Sequence, residues 1–287
     1  MRKQPPRLNS RLRTEAMIAR YRRLWALLLV LLLGAAALWF WYSRKAAPSE
    51  SEPLVLMSSI DLLWGEAEFG ALAKGEVEPD PLYKRLEETR KIIAADNVAQ
   101  LQASKAKVAL LIQPRAFAPD ELVRLDHWVR AGGRLLFFAD PALQWPSDLP
   151  IGDPARPLFT SMHSPLFNHW GIELVLPMEA EAESAEVAID VGQYEIRTLS
   201  AGQWQGRAKG SGDEANCRIA EKALVAECRP GKGQVILVAD ADLLHSSIWQ
   251  SALPGSDSSS NIDWVEKLVS RLAQGRRLVG QNGEILE

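Results

Sequence analysis

The chain has 287 residues, 47% of them hydrophobic, which excludes a polypeptide too small or too polar to bury a core. The formal charge of −3 hides an asymmetry: residues 1–45 carry ten Lys/Arg and one acid, Glu15, whereas residues 46–287 carry 23 basic and 35 acidic side chains. Two regions of opposite charge imply two environments.

In chain order, residues 1–23 form a basic arm. The stretch "LWALLLVLLLGAAALWFWY" (24–42) follows, 19 residues without a charge. As a helix it would be about 28 Å long, close to the ~30 Å hydrocarbon core of a bilayer. Trp25 stands near one end and Trp39, Trp41 and Tyr42 near the other, as an interfacial aromatic belt requires. The span runs into Trp-Phe-Trp-Tyr-Ser-Arg rather than a small-x-small cleavage site, so an uncleaved anchor is expected. Eight Lys/Arg precede it and two, Arg44 and Lys45, follow closely. The positive-inside rule then puts the N-terminus in the cytoplasm and residues 46–287 outside, in the periplasm if the cell is a bacterium with a single-pass inner-membrane protein. Beside such a span the basic arm is a topology signal that also favours anionic lipid, not nucleic acid.

After a polar linker (43–53), "LVLMSS" (54–59) suits a first buried strand. "PLYKRLEETRKII" (81–93) follows as a helix, with Leu82, Leu86, Ile92 and Ile93 near helical spacing. "KVALLIQP" (107–114) has the continuous apolar run of a central parallel strand. Pro119 suits the first position of the next helix, Asp120 and Glu121 its positive end, and Gly132 its stop. "RLLFFAD" (134–140) is then a buried strand, and strand, helix and strand make a βαβ unit. A Pro-rich loop (141–165) leads to "LFNHWGIELVLP", a short helix, a Gly stop and a strand. The acidic run 178–186 is expected to be a solvated edge. Residues 186–229 break into short β-like pieces, expected as a mostly antiparallel insertion. "GKGQVILVADADLL" (231–244) returns to the buried-strand pattern, and "NIDWVEKLVSRLA" (261–273) closes the domain as an amphipathic helix with Asn261 as N-cap and Gly275 as stop. The expected architecture is an α/β three-layer sandwich over 54–275 with a mainly parallel sheet, the β-rich insertion, one N-terminal transmembrane helix and a C-terminal tail (276–287).

Two blocks carry a family resemblance. "LDHWVRAGGRLLFFADP" resembles the helix–GlyGly–strand segment of class I glutamine amidotransferase-like domains, and "GKGQVILVADADLL" with the Asn-started helix is similar to their C-terminal element. Within that superfold the resemblance is to the membrane-anchored, non-catalytic branch that includes the auxiliary domains of GldG-type ABC transport systems. Enzymes of the family activate a Cys on a tight turn after a strand. Here that turn reads Ala139-Asp140-Pro141, neither Cys217 nor Cys228 follows a core strand, and no GxSxG elbow replaces the thiol. The resemblance therefore implies a cradle without its nucleophile.

The remaining candidates are few. Asp140, Asp240 and Asp242 fall at the carboxyl ends of expected parallel strands, where with His245 they could hold a hard cation or a sugar. Alternatively, Asp140 shapes a turn and Asp242 caps a short helix starting at Leu243. Trp145, on the Pro-rich loop, is a candidate partner anchor. His127 is expected half-exposed, and His169 suits a helix end; about His163 the sequence is silent. "GKG" (231–233) enters a strand rather than a helix, the opposite of a phosphate loop. Cys217 and Cys228 lack CxxC spacing, so no metal or cofactor is expected. In an oxidising compartment a hairpin turning near Lys222-Ala223 would join them as a disulfide, the alternative being two buried free thiols. Two function classes follow: a tethered, non-catalytic accessory protein serving an ABC-type exporter or an envelope assembly, with a permease as partner, or a hydrolase, carbohydrate-acting enzyme or small-ligand sensor using the strand-end Asp and His groups.

Overall fold

The computed structural model describes residues 52–63, 78–147, 149–177, 186–207, 215–220, 222–250 and 259–286, with Trp25, Leu29, Leu32 and Gly34. No helix among the described residues is long and apolar enough to cross a membrane. The span expected over 24–42 lies, but for those four helical residues, outside them, as does most of the acidic run 178–186.

The domain is mixed α/β, and its first half alternates strand and helix. β1 (Leu54–Ser58) leads to α1 (Pro81–Thr89), which Asp80 caps by accepting the Leu82 N–H at 2.8 Å, with Pro81 where its missing N–H costs nothing. The helix stops four residues short of the expected end. Ile92 and Ile93 do not continue its apolar stripe. They form the edge strand β2 (Ile92–Ala94), parallel to β1, where β-branched side chains fit a pleated surface better than a helix. A helix absent from the sequence expectation comes next, α2 (Val98–Ser104), capped by Asn97 on the Gln100 N–H at 2.9 Å. β3 (Val108–Ile112), α3 (Pro119–Arg130) and β4 (Arg134–Phe138) follow as expected, with Leu125 and Val129 buried on α3.

The second half departs more from expectation. After α4 (Ser164–His169), β5 (Ile172–Val175) pairs antiparallel with β8 (Gln203–Gly206), while β6 (Val187–Val191) and β7 (Tyr194–Thr198) form a hairpin of their own. The rest of the expected insertion does not stand apart. β9 (Arg218–Ile219) and β10 (Val225–Cys228) join the main sheet, β10 running antiparallel to β11 (Gln234–Val238). The result is a seven-stranded sheet in the order β2-β1-β3-β4-β11-β10-β9, parallel across its first five strands. Its central strands are buried throughout, which explains their unbroken apolar runs.

The β9–β10 turn places Lys222 and Ala223 in the left-handed region, and Cys217 and Cys228 are joined as a disulfide. Closure continues with a 3₁₀ turn (Asp242–Leu244), α5 (Ser246–Trp249) and α6 (Asn261–Gln274), which packs on β3, β4 and β11. Gly275 ends α6 in the left-handed conformation, φ 68°. Asn261 is not its N-cap. Ser260 occupies that position, and the buried Asn261 amide instead ties β7 to the 3₁₀ turn through Arg197 N–H, Arg197 C=O and Leu243 C=O. The segment after Gly275 is folded. The buried Glu227 carboxylate accepts the Leu278 and Val279 N–H groups at 2.7 and 2.9 Å, and Val279 bridges Ile285.

Candidate functional site

The parallel register lines up Ile112, Phe138 and Val238, so Gln113, Ala139-Asp140 and Ala239-Asp240 leave the sheet side by side. The structure thus brings together Asp140, Asp240 and Asp242, all essentially without solvent exposure. Each carboxylate is engaged by the backbone and hydroxyls of the turns it joins. Asp140 Oδ1 accepts the Ala142 N–H at 2.7 Å and its Oδ2 the Ala241 N–H at 2.8 Å, which links the β4 turn to the β11 turn. Asp240 accepts the Leu243 N–H at 2.8 Å and the Thr198 hydroxyl at 2.7 Å. Asp242 accepts the Gln144 N–H at 3.0 Å and the Ser200 hydroxyl at 3.0 Å. The 3₁₀ turn is therefore held by Asp240, and Asp242 reaches back to the Pro-rich loop instead of capping at Leu243.

Burial raises the pKa of all three acids. Asp140 is pushed up to about 7 by desolvation and by the neighbouring Asp242 charge. Asp240 lies well above the usual carboxylate range, because it is buried and faces both other acids. Asp242 is raised by burial, against the opposing Gln144 and Ser200 hydrogen bonds. Three adjacent carboxylates in a dry site cannot all ionise at ordinary cost. No group of His, Cys, Asp and Glu among the described residues is arranged to hold a metal ion.

Gln113 completes this edge, and sequence reasoning missed it. Its backbone is left-handed (φ 39°) just before Pro114, its Oε1 accepts the Asp140 N–H at 2.9 Å, and its Nε2 donates to the Asp140 and Leu158 carbonyls. A polar residue ending an otherwise apolar strand was the available signal. His245 is not hydrogen-bonded to the acids. It is half-buried, its Nδ1 lies 2.6 Å from Ser247 Oγ at the start of α5, and its ring meets Trp145 edge-on at 4.7 Å. Burial lowers its pKa, partly offset by Asp80. Trp145 is half-buried against the core. His163 is fully buried among Phe117, Phe137 and Phe167, and desolvation takes its pKa down to about 4.

A groove of about 430 Å³ runs between α3 and α4, walled by Pro119, Leu122, Val123, Pro165 and Leu166 and ended by Asp126, His127 and His169. The size falls within the range of ligand sites. Its polar end is built by Asp126, which accepts the Trp170 indole N–H at 2.8 Å and Arg130 Nε at 2.7 Å, with His169 Nε2 at 3.6 Å. Asp126 was also missed, because it lies on the buried side of α3 beside Leu125. Val123 on the wall is 55% exposed and Met162, just before α4, 54%.

The "GKG" stretch has a packing role. A Cβ on Gly233 would lie 2.1 Å from the Val129 carbonyl oxygen and one on Gly231 2.8 Å from that of Arg130, so both glycines let the β10–β11 turn close against the end of α3.

Residues 82–246 match the family described as "Domain of unknown function (DUF4350)". The chain belongs to that family. No curated protein matches this DUF4350 chain. Among solved structures it is similar to the exo-beta-1,4-mannosidase Op5Man5 from Opitutaceae bacterium strain TAV5, at 13% identity and a TM-score of 0.36, over 80% of this chain and 35% of that one. It is also similar to a GH42 beta-galactosidase from G. stearothermophilus, in a catalytic mutant form (12%, TM-score 0.38, 81% and 31%), and to a beta-galactosidase from Bacillus circulans sp. alkalophilus (14%, 0.36, 81% and 32%). The DUF4350 chain spans about a third of the length of these proteins, and likeness at such scores carries no argument about activity.

Proposed function

We propose that this protein is a single-pass, membrane-anchored accessory protein whose α/β domain, a non-catalytic glutamine amidotransferase-like three-layer sandwich, lies outside the cytoplasm and binds a membrane partner. The permease of an ABC-type transport system is the partner class that the GldG-type resemblance implies. The anchor is the uncharged 24–42 span, oriented by its flanking Lys and Arg.

One observation carries the binding role: the α3–α4 groove presents the exposed Val123 and Pro165 beside the half-buried Leu122, over the buried Leu166, while the strand-end carboxylates face inward to backbone amides. Open apolar surface beside a polar rim is what protein partners cover. The loop carrying Trp145 adds Ile151 and Phe159 as exposed apolar side chains. The test is co-purification of the full chain from solubilised membranes. Val123→Asp should lose the partner that the wild type retains, because a charge would be buried unpaired in the interface. Equal recovery of that partner with both proteins would contradict the proposal. So would amidase, esterase or glycosidase turnover that Asp140→Asn or Asp240→Asn abolishes without unfolding the domain.

A further inference from the structure

The two edges of the main sheet carry opposite charge. At the amino edge, where the five parallel strands begin, the register sets Lys91, Lys107 and Arg134 along one line. The Leu54 N–H donates to the Lys91 carbonyl at 2.9 Å and the Arg134 N–H to the Lys107 carbonyl at 2.8 Å. Lys232 stands two residues ahead of β11, Lys105 caps α2, and Arg276 follows α6 with its carbonyl held by Gln234 Nε2 at 2.7 Å. Lys91, Lys105, Lys107, Lys232 and Arg276 are exposed, and none of them forms an ion pair with a carboxylate among the described residues. Glu52, Glu87 and Glu88 also lie at this edge and offset part of the charge. The opposite edge is the reverse. Asp61, Asp96, Asp120 and Asp263 are exposed there, and Lys84, Arg115 and Arg124 are each paired with an acid.

Cations at helix C-termini offset the helix dipole, which accounts for Lys105 and Arg276. It does not account for Lys91, Lys107 and Lys232, which precede strands. Unpaired cations gathered on one edge suit a partner that presents negative charge over an area. Chain connectivity selects among such partners. β1 begins at this edge, and only residues 43–53 separate Leu54 from the uncharged stretch 24–42. Eleven residues extend to at most about 40 Å, so a bilayer that holds the stretch is within reach. We propose that the amino edge of the sheet docks on the anionic lipid surface of the membrane that anchors the chain, an inference that rests on the anchored reading above. Residues 46–287 carry 35 acidic against 23 basic side chains, so the same surface repels the rest of the domain and fixes its orientation. The attraction acts over about a Debye length, roughly 10 Å, and weakens with salt.

The experiment uses the full chain, its disulfide intact, with a thiol-linked dye at an exposed position of either edge: Ala131→Cys at the end of α3, or Ala116→Cys between β3 and α3. The protein is reconstituted in vesicles that carry a headgroup quencher and contain phosphatidylcholine alone or with phosphatidylglycerol. The expected result is quenching at position 131 that is stronger with phosphatidylglycerol and fades as salt is added, with no lipid dependence at position 116. Each lysine near an anionic surface is worth about fivefold in occupancy. Lys107→Gln should therefore lower the phosphatidylglycerol-dependent occupancy about fivefold. Lys91→Gln, Lys105→Gln, Lys107→Gln and Lys232→Gln combined should abolish it. The basic arm 1–23 is present in every variant, so that loss belongs to the edge. Equal quenching of position 131 in the two lipids, or an unchanged lipid dependence in the fourfold variant, overturns the proposal. Flotation with phosphatidylcholine vesicles at high salt reads the anchor separately. A chain that floats but shows no lipid-dependent quenching keeps its anchor and loses the docking edge. A chain that does not float overturns the anchored reading, while lysine-dependent quenching by phosphatidylglycerol would still support the edge.

Discussion

The carboxyl edge of the sheet and the α3–α4 groove are opposites. At the sheet edge three carboxylates, two hydroxyls and the Gln113 amide satisfy one another and the backbone, leaving no polar atom turned to solvent. At the groove, apolar side chains lie open beside a polar end that is itself already paired through Asp126. At the position where α/β folds most often bind ligands the acids here accept hydrogen bonds from the turns they join, and the open surface lies on the flanking helices.

The largest expected effect breaks the first half of that contrast. Asp240→Ala removes a buried acceptor from the Leu243 N–H and the Thr198 hydroxyl, and should cost about 3 kcal/mol in urea unfolding. Asp240→Asn keeps an acceptor and sheds the repulsion, so it should stay within about 1 kcal/mol of wild type. If both variants were equally stable while a ligand-dependent property vanished, the cluster would be a site after all.

The pH dependence sharpens the contrast with an intermediate effect. Asp140, raised to about 7 in the folded state, binds more protons folded than unfolded above its ordinary value near 4. Its contribution is therefore fully present below about pH 4 and is lost as the pH rises through about 7, at up to about 1.4 kcal/mol per pH unit. Asp240 and Asp242 act in the same direction. His163 opposes them: depressed to about 4, it disfavours folding at low pH, and its penalty fades as the pH rises towards 6.5. Two variants separate these terms in stability measured between pH 4 and 7.5. Asp140→Asn should make stability rise more with pH than in wild type, and His163→Phe should make it fall more. The same slope in wild type and Asp140→Asn would mean that Asp140 does not hold its proton.

The smallest effect belongs to the groove. Val123 is exposed, so Val123→Asp should change unfolding free energy by no more than about 0.5 kcal/mol. A larger loss would mean that the groove wall is part of the core.

Much of this organisation was legible in the sequence. Continuous apolar runs announced β1, β3, β4 and β11, and Pro119 and Gly275 bounded their helices, because burial on both faces and cap stereochemistry are local properties. The Cys217–Cys228 pair followed from hairpin spacing. What could not be read depended on partners distant in the chain. Ile92 and Ile93 have helical spacing, yet pairing with β1 makes them a strand. Asn261 looks like a cap, yet its amide is claimed by Arg197, 64 residues away. The three strand-end acids were recognised, but whether they faced a ligand or the backbone turned on the register of β4 against β11.

The proposed membrane partner covers the α3–α4 groove. Photo-cross-linking in intact cells from position 123, compared with the exposed position 105 on the α2–β3 turn, tests it most directly. A discrete adduct to one membrane protein from position 123 and none from 105 is the predicted result. Identical adduct patterns from the two positions, or no adduct from position 123, would contradict it.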